Sequence, residues 1–210
     1  MTDDRQTNNE HYPDGSSREI FSMASGEREN LYQSIIVNGI LTDIEENFKR
    51  GNFSACVILI YCAIDAMAAL AMPLGEKDVR SKDFKAWVAK YLRTEKNQSY
   101  QYDADDVWGA RCGIIHRYAA DSRDSDSGKC RILTYTTDGS DHKYNPKSNK
   151  KLIVISIPRF KNDFMNATLT FFNEALKDDE LFRCIKSRIC KLFCVRSIKQ
   201  LRASKDQNKS

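Results

Sequence analysis

One run of residues limits the folds open to this chain more than any other: Phe53 to Met72, FSACVILIYCAIDAMAALAM, apolar at almost every position. A helix this apolar on all sides needs either a bilayer or a protein interior around it. Asp65 sits in its middle, where a charge is expensive in hydrocarbon. No second run of this kind accompanies it, and no aromatic belt flanks it. The run is therefore expected to be the central buried helix of a bundle, with no membrane partner. Pro73 and Gly75 end it.

The flanking sequence supplies the rest of such a bundle. From Glu29 onward Ile36, Ile40, Ile44 and Phe48 recur every four residues on one face, with Glu45–Lys49 and Glu46–Arg50 pairs on the other. Gly51 and Asn52 end that helix and cap the apolar one, giving an antiparallel helical hairpin. Ser81 is expected to cap a short helix whose apolar side is Phe84, Trp87, Val88 and Tyr91, read as core rather than as base-stacking residues. A polar turn follows from Thr94 to Gln101. Asp103 or Asp105 then caps the helix that carries Arg111 and His116. Residues 121–129 read as a loop. Ile132–Thr136 and Leu152–Ile157 read as two strands of a long β-hairpin. Pro158 opens a last long helix, with Phe160, Phe164, Phe171 and Phe172 facing the core.

The expected fold is predominantly all-α: a bundle of four to five main helices with a small β-hairpin, residues 130–157, inserted before the last long helix. Residues 1–26 are polar and read as a disordered tail without a signal or transit sequence. The folded domain is placed at 27–182, and 183–210 as a basic amphipathic helix (Ile185, Ile189, Leu192) and tail.

The formal net charge of +4 is unevenly spread. Residues 1–30 hold seven acids and three bases, whereas residues 183–210 hold nine bases and one acid. Arg183, Lys186, Arg188 and Lys191 could steer a polyanion such as RNA, and a solvated helix face gives the same composition. The seven cysteines form no Cys-x-x-Cys pair. They read as buried, reduced thiols of a cytoplasmic protein, and Cys184, Cys190 and Cys194 as core thiols rather than zinc ligands. No carboxylate cluster with metal-ligand spacing is present, so neither metal nor cofactor is expected.

The helix from Asp105 to Tyr118 is chemically the richest. Val107, Arg111, Ile114 and Tyr118 share one face; Gly109, Cys112, Gly113, His116 and Ala120 form the next stripe. Glycine in a helix interior costs about 1 kcal/mol relative to alanine, so two of them need a reason. Close packing of a second helix, even the same helix of a second subunit, would supply it. Histidine exchanges protons near neutrality, and arginine offers a fixed fork to phosphate oxygens. Together they suffice for RNA cleavage by the ribose 2′-hydroxyl. The same spacing also arises from a surface ion pair and a core histidine. Asp65 is read first as a buried partner that orients Arg111, and second as an acid/base group. Cys112 and His116, four apart, could form a thiol–histidine pair.

The stretch DDVWGARCGIIHRY, residues 105–118, resembles the active-site helix of the HEPN superfamily, whose hallmark is Arg-x4-6-His on the third main helix of a small bundle. Arg111 and His116 stand at that spacing. The form Arg-Cys-Gly followed by two apolar residues and His is similar to one bacterial HEPN-like group. So are Ala63-Ile64-Asp65-Ala66-Met67 and the segment Phe84 to Tyr91. The likeness spans roughly residues 30–176. It implies a metal-independent endoribonuclease, a homodimer with Arg and His of both subunits on one cleft, and a toxin–antitoxin or anti-phage role. Arg117-Tyr118 extends the hallmark to Arg-x4-His-x-Tyr. In toxins of that form a nucleotidyltransferase antitoxin AMPylates the tyrosine, here Tyr118. The superfamily also contains non-catalytic RNA-binding or dimerising modules, the alternative reading.

Overall fold

The computed structural model describes residues 32–93, 100–139, 141–189 and 191–192. The tail at 1–26, most of the polar turn, Cys190, Cys194 and most of the basic terminus lie outside them. The described chain is predominantly helical, with one small three-stranded sheet. A first helix, α1, runs Tyr32–Leu41 in wide π-type turns and continues as Thr42–Lys49. Gly51 then takes a left-handed φ of 74° and turns the chain into α2, Phe53–Ala71. Phe48 and Phe53 pack edge to face across that turn, centroids 5.7 Å apart. Asn52 occupies the cap position of α2 without a capping bond; its amide goes to Asn47 instead.

α2 passes through the middle of the fold. Ile60, Ile64, Met67 and Leu70 have no exposed surface, and neither has Tyr61. It is the one helix among the described residues apolar and long enough to cross a membrane, yet only half of it is buried. Its inner side is covered by α1, by α3 (Ser81–Trp87, extended by a wide turn Val88–Leu92), and by the later helices. The cap of α3 is Arg80, not Ser81: the Asp83 carboxylate accepts the Arg80 backbone N–H at 2.9 Å. Trp87 and Tyr91 are core residues, packed on Phe164 and Phe171.

α4, Ala104–Arg117, is followed by a single helical turn, α5 (Arg123–Asp126), within the expected loop. The sheet corrects the hairpin. β1 (Ile132–Thr136) and β3 (Leu152–Ser156) pair in parallel, Ile132 opposite Leu152 through Thr136 opposite Ser156. Between them β2 (Lys143–Tyr144) pairs antiparallel on the far side of β3, giving the order β1-β3-β2. Alternating apolar residues mark a strand but carry no direction. Residues 137–151 are long enough to cross over before turning back. His142 pins the crossing: its ring is buried, Nδ1 accepts the Ser156 N–H at 3.2 Å, and Nε2 lies 3.2 Å from Asp163 Oδ2. β3 ends one residue early because Ser156 caps α6, Ile157–Ala175, with Pro158 in its first turn. Phe160, Phe164, Phe171 and Phe172 are buried, and α7 (Asp179–Ile189) closes the bundle with Phe182, Ile185 and Ile189.

Candidate active site

Local sequence fixes where α4 begins and ends. The Asp103 carboxylate accepts the N–H groups of Asp105 and Asp106 at 2.9 and 3.0 Å, and Asp106 returns the bond to Asp103 N at 2.9 Å. Tyr118 ends the helix in the left-handed region, φ 53°. Between these limits α4 lies along α2, and Arg111 meets Asp65.

Arg111 Nε donates to Asp65 Oδ2 at 2.7 Å, and Nη2 lies 2.6 Å from the same oxygen. The guanidinium also rests over the Trp108 ring, 5.3 Å from its centre. One edge is left, and its Nη1 lies 2.8 Å from His116 Nε2. Arginine has no acceptor, so it donates and Nε2 supplies the lone pair; the ring proton then sits on Nδ1. His116 itself is exposed. The pair expected to be buried is at the rim: the side chains of Arg111 and Asp65 keep 19% and 25% of their surface in solvent. Partial burial holds the Asp65 carboxyl above its ordinary range, against the pull of Arg111. Burial opposes the charge of Arg111, but Asp65 outweighs it and the guanidinium is held in its charged form. Burial pushes the Cys112 thiol up, and the hydrogen bond at His116 Nε2 goes to Arg111 rather than to Cys112.

The glycine stripe has a different use from the one expected. A Cβ on Gly109 would stand 2.2 Å from Cys130 Sγ, and one on Gly113 would stand 2.4 and 2.7 Å from the carbonyl oxygens of Asp121 and Ala119. The chain's own return path after α4 fills the space, so neither glycine offers a seat to a second subunit. The thiols are also less buried than expected. Cys56 and Cys184 are interior, Cys112 and Cys130 are half-buried, and Cys62, one turn before Asp65, is exposed.

Of the four basic residues on α7 and just beyond it, Arg188 is not available to RNA. Its Nη1 donates to the Met72 carbonyl and its Nη2 to that of Pro73, each at 2.6 Å, and Nη2 also reaches Glu76 O at 3.3 Å. It ties α7 to the exit of α2. Arg183 and Lys186 are half-buried and Lys191 is exposed, all remote in sequence from α4.

Sequence reasoning missed three residues. Trp108, three before Arg111, supplies the ring under the guanidinium; that helical spacing was the available signal. Arg131 donates to the buried Asp106 and orients the start of α4. His142 had no local signal, since only the crossover buries it. No protein-family model, curated protein or solved structure matches this chain.

Proposed function

We propose that this chain is a metal-independent endoribonuclease of the HEPN type, a cytoplasmic homodimer in a toxin–antitoxin or anti-phage system. One observation carries the reading: Arg111 is gripped by Asp65 along its Nε/Nη2 edge and turns the remaining edge to His116. A bound RNA phosphate replaces His116 as the partner of Nη1. The freed Nε2 lone pair then takes the proton of the 2′-hydroxyl. The 2′-oxygen attacks phosphorus, the bond to the 5′-oxygen breaks, and Arg111 stabilises the charge gathered on the phosphoryl oxygens. The histidine of the second subunit protonates the departing 5′-oxygen, leaving a 2′,3′-cyclic phosphate and a 5′-hydroxyl.

Support for the dimer comes from α2 and not from the glycines. Around Asp65 the helix leaves Cys62 exposed and Ala66 and Ala69 half-exposed, an apolar strip beside the candidate site. Tyr118, 72% exposed, is open to a nucleotidyltransferase antitoxin. A second reading, a non-catalytic RNA-binding or dimerising module, is favoured by the same Arg111–His116 contact, because it occupies the lone pair a general base needs.

The deciding measurement is cleavage of single-stranded RNA in EDTA by the wild type and by His116→Ala. Cyclic-phosphate products from the wild type alone are expected. Equal cleavage by His116→Ala would sink the nuclease reading, and binding without products from either protein would establish the second.

A further inference from the structure

Beside the Asp65–Arg111–His116 cluster lies an open apolar groove of about 290 Å³. Phe53, Val57 and Ile58 of α2 line one side, Ile114 of α4 and Tyr118 just past its end the other, and Tyr135 of β1 also lines it. The groove and the cluster belong to one seam. Asp65 of α2 meets Arg111 of α4, while seven residues back along α2 Ile58 shares the groove with Tyr118, seven residues on from Arg111 and just past the end of α4. Seven residues are about 10 Å of helix along α2, while on α4 the groove's near edge, Ile114, is three residues or about 5 Å along the axis from Arg111. Tyr118 is the most exposed large apolar side chain in the described structure, its ring carried at the groove by the left-handed turn that ends α4.

We infer that this groove is a nucleobase subsite, in which a base one or two nucleotides from the scissile phosphate stacks on Tyr118. The inference rests on the nuclease reading above and deepens it. The donor edge of Arg111 and the apolar lining together select the occupant. An arginine with one donor edge toward His116, next to an open apolar groove with an exposed aromatic ring, matches a phosphate joined to a base, and such rings stack bases without regard to sequence. The subsite would hold the strand in register over His116, so its loss acts on binding of the unreacted strand.

The probe is a dye-labelled 2′-O-methyl RNA hexamer, which cannot be cleaved, and a set of the same hexamer with one abasic residue at each position in turn. Tyr118→Ala is expected to weaken binding of the intact hexamer by about 5- to 150-fold, and Tyr118→Phe to retain it. One abasic position should reproduce the loss in the wild type, and Tyr118→Ala should then add nothing. Ser54→Leu, which narrows the groove from an exposed position, should weaken binding in the same way. Unchanged affinity in Tyr118→Ala, or equal losses for every abasic ligand, overturns the subsite. Conversion of a dimer to a monomer by Ser54→Leu in light scattering overturns it too, since the groove would then be a subunit contact. A wild type that cleaves RNA while the subsite test fails leaves the nuclease reading standing. A wild type that neither binds nor cleaves RNA removes both.

Discussion

Two arginine–aspartate pairs hang on α4, one in its first turn and one at its middle, and they differ in where their remaining bonds go. At the start, Arg131 gives its backbone N–H and its guanidinium to Asp106, reaches Asp103 at 3.3 Å, and lies over the Tyr144 ring at 4.8 Å. Asp106 is 1% exposed. At mid-helix, Arg111 spends two nitrogens on Asp65, whose side chain is 25% exposed, and keeps the third toward an exposed histidine. The chemistry of the partners is the same. An arginine whose guanidinium goes only to groups that build the fold holds strands and helices together, whereas one that turns a nitrogen to an exposed histidine has something left to offer a ligand. Arg188 belongs with the first kind, although its place in a basic helix suggested the second.

Substitutions can break this comparison. The largest effect is expected from Arg111→Ala: cleavage falls by about 10²- to 10³-fold, while the unfolding free energy falls by about 1–2 kcal/mol, between the range of an exposed pair and that of a fully buried one. Asp106→Ala should do the reverse. It orphans the Arg131 N–H and the Asp103 N–H and leaves the guanidinium only its 3.3 Å bond to Asp103. It should cost on the order of 3 kcal/mol, read by urea unfolding, with cleavage by the folded fraction retained. If Arg111→Ala were the more destabilising of the two, the contrast would be lost. Gly113→Ala comes next. Alanine is ordinarily favoured in a helix by about 1 kcal/mol, but here its methyl meets two backbone carbonyls, and a net loss of about 1–3 kcal/mol is expected. A stabilised Gly113→Ala protein would show that the return path after α4 is not tight. The smallest effect is expected from Arg188→Lys, which loses the two-pronged grip on the α2 exit at about 0.5–1.5 kcal/mol. RNA affinity should stay at the wild-type value, and a drop would return Arg188 to the RNA-binding set.

Much of this organisation was legible in the sequence, for reasons local to it. Helices follow from periodic apolar residues, so α1, α2, α4 and α6 were placed within a few residues. The Asp103 cap and the Pro158 start are set by side chains next to the backbone groups they satisfy. The Asp65–Arg111 contact was anticipated because a lone carboxylate in an apolar run requires a cation. The strand positions were legible as well, but their mutual direction was not. Alternation fixes which residues face inward, and a connection of fifteen residues permits either direction.

What the sequence determined by itself was therefore a predominantly helical chain, an apolar α2 at its centre, and an arginine and a histidine on one later helix. Tertiary structure decided what each of these is free to do. It filled the space beside Gly109 and Gly113 with the chain's own backbone and Cys130, and spent Arg188 on the carbonyls after α2. It left Arg111 with one edge toward His116. The physical reason is that a hydrogen-bonding group is available only if nothing nearer has claimed it. The claimants are set by distances between segments that sequence spacing does not encode.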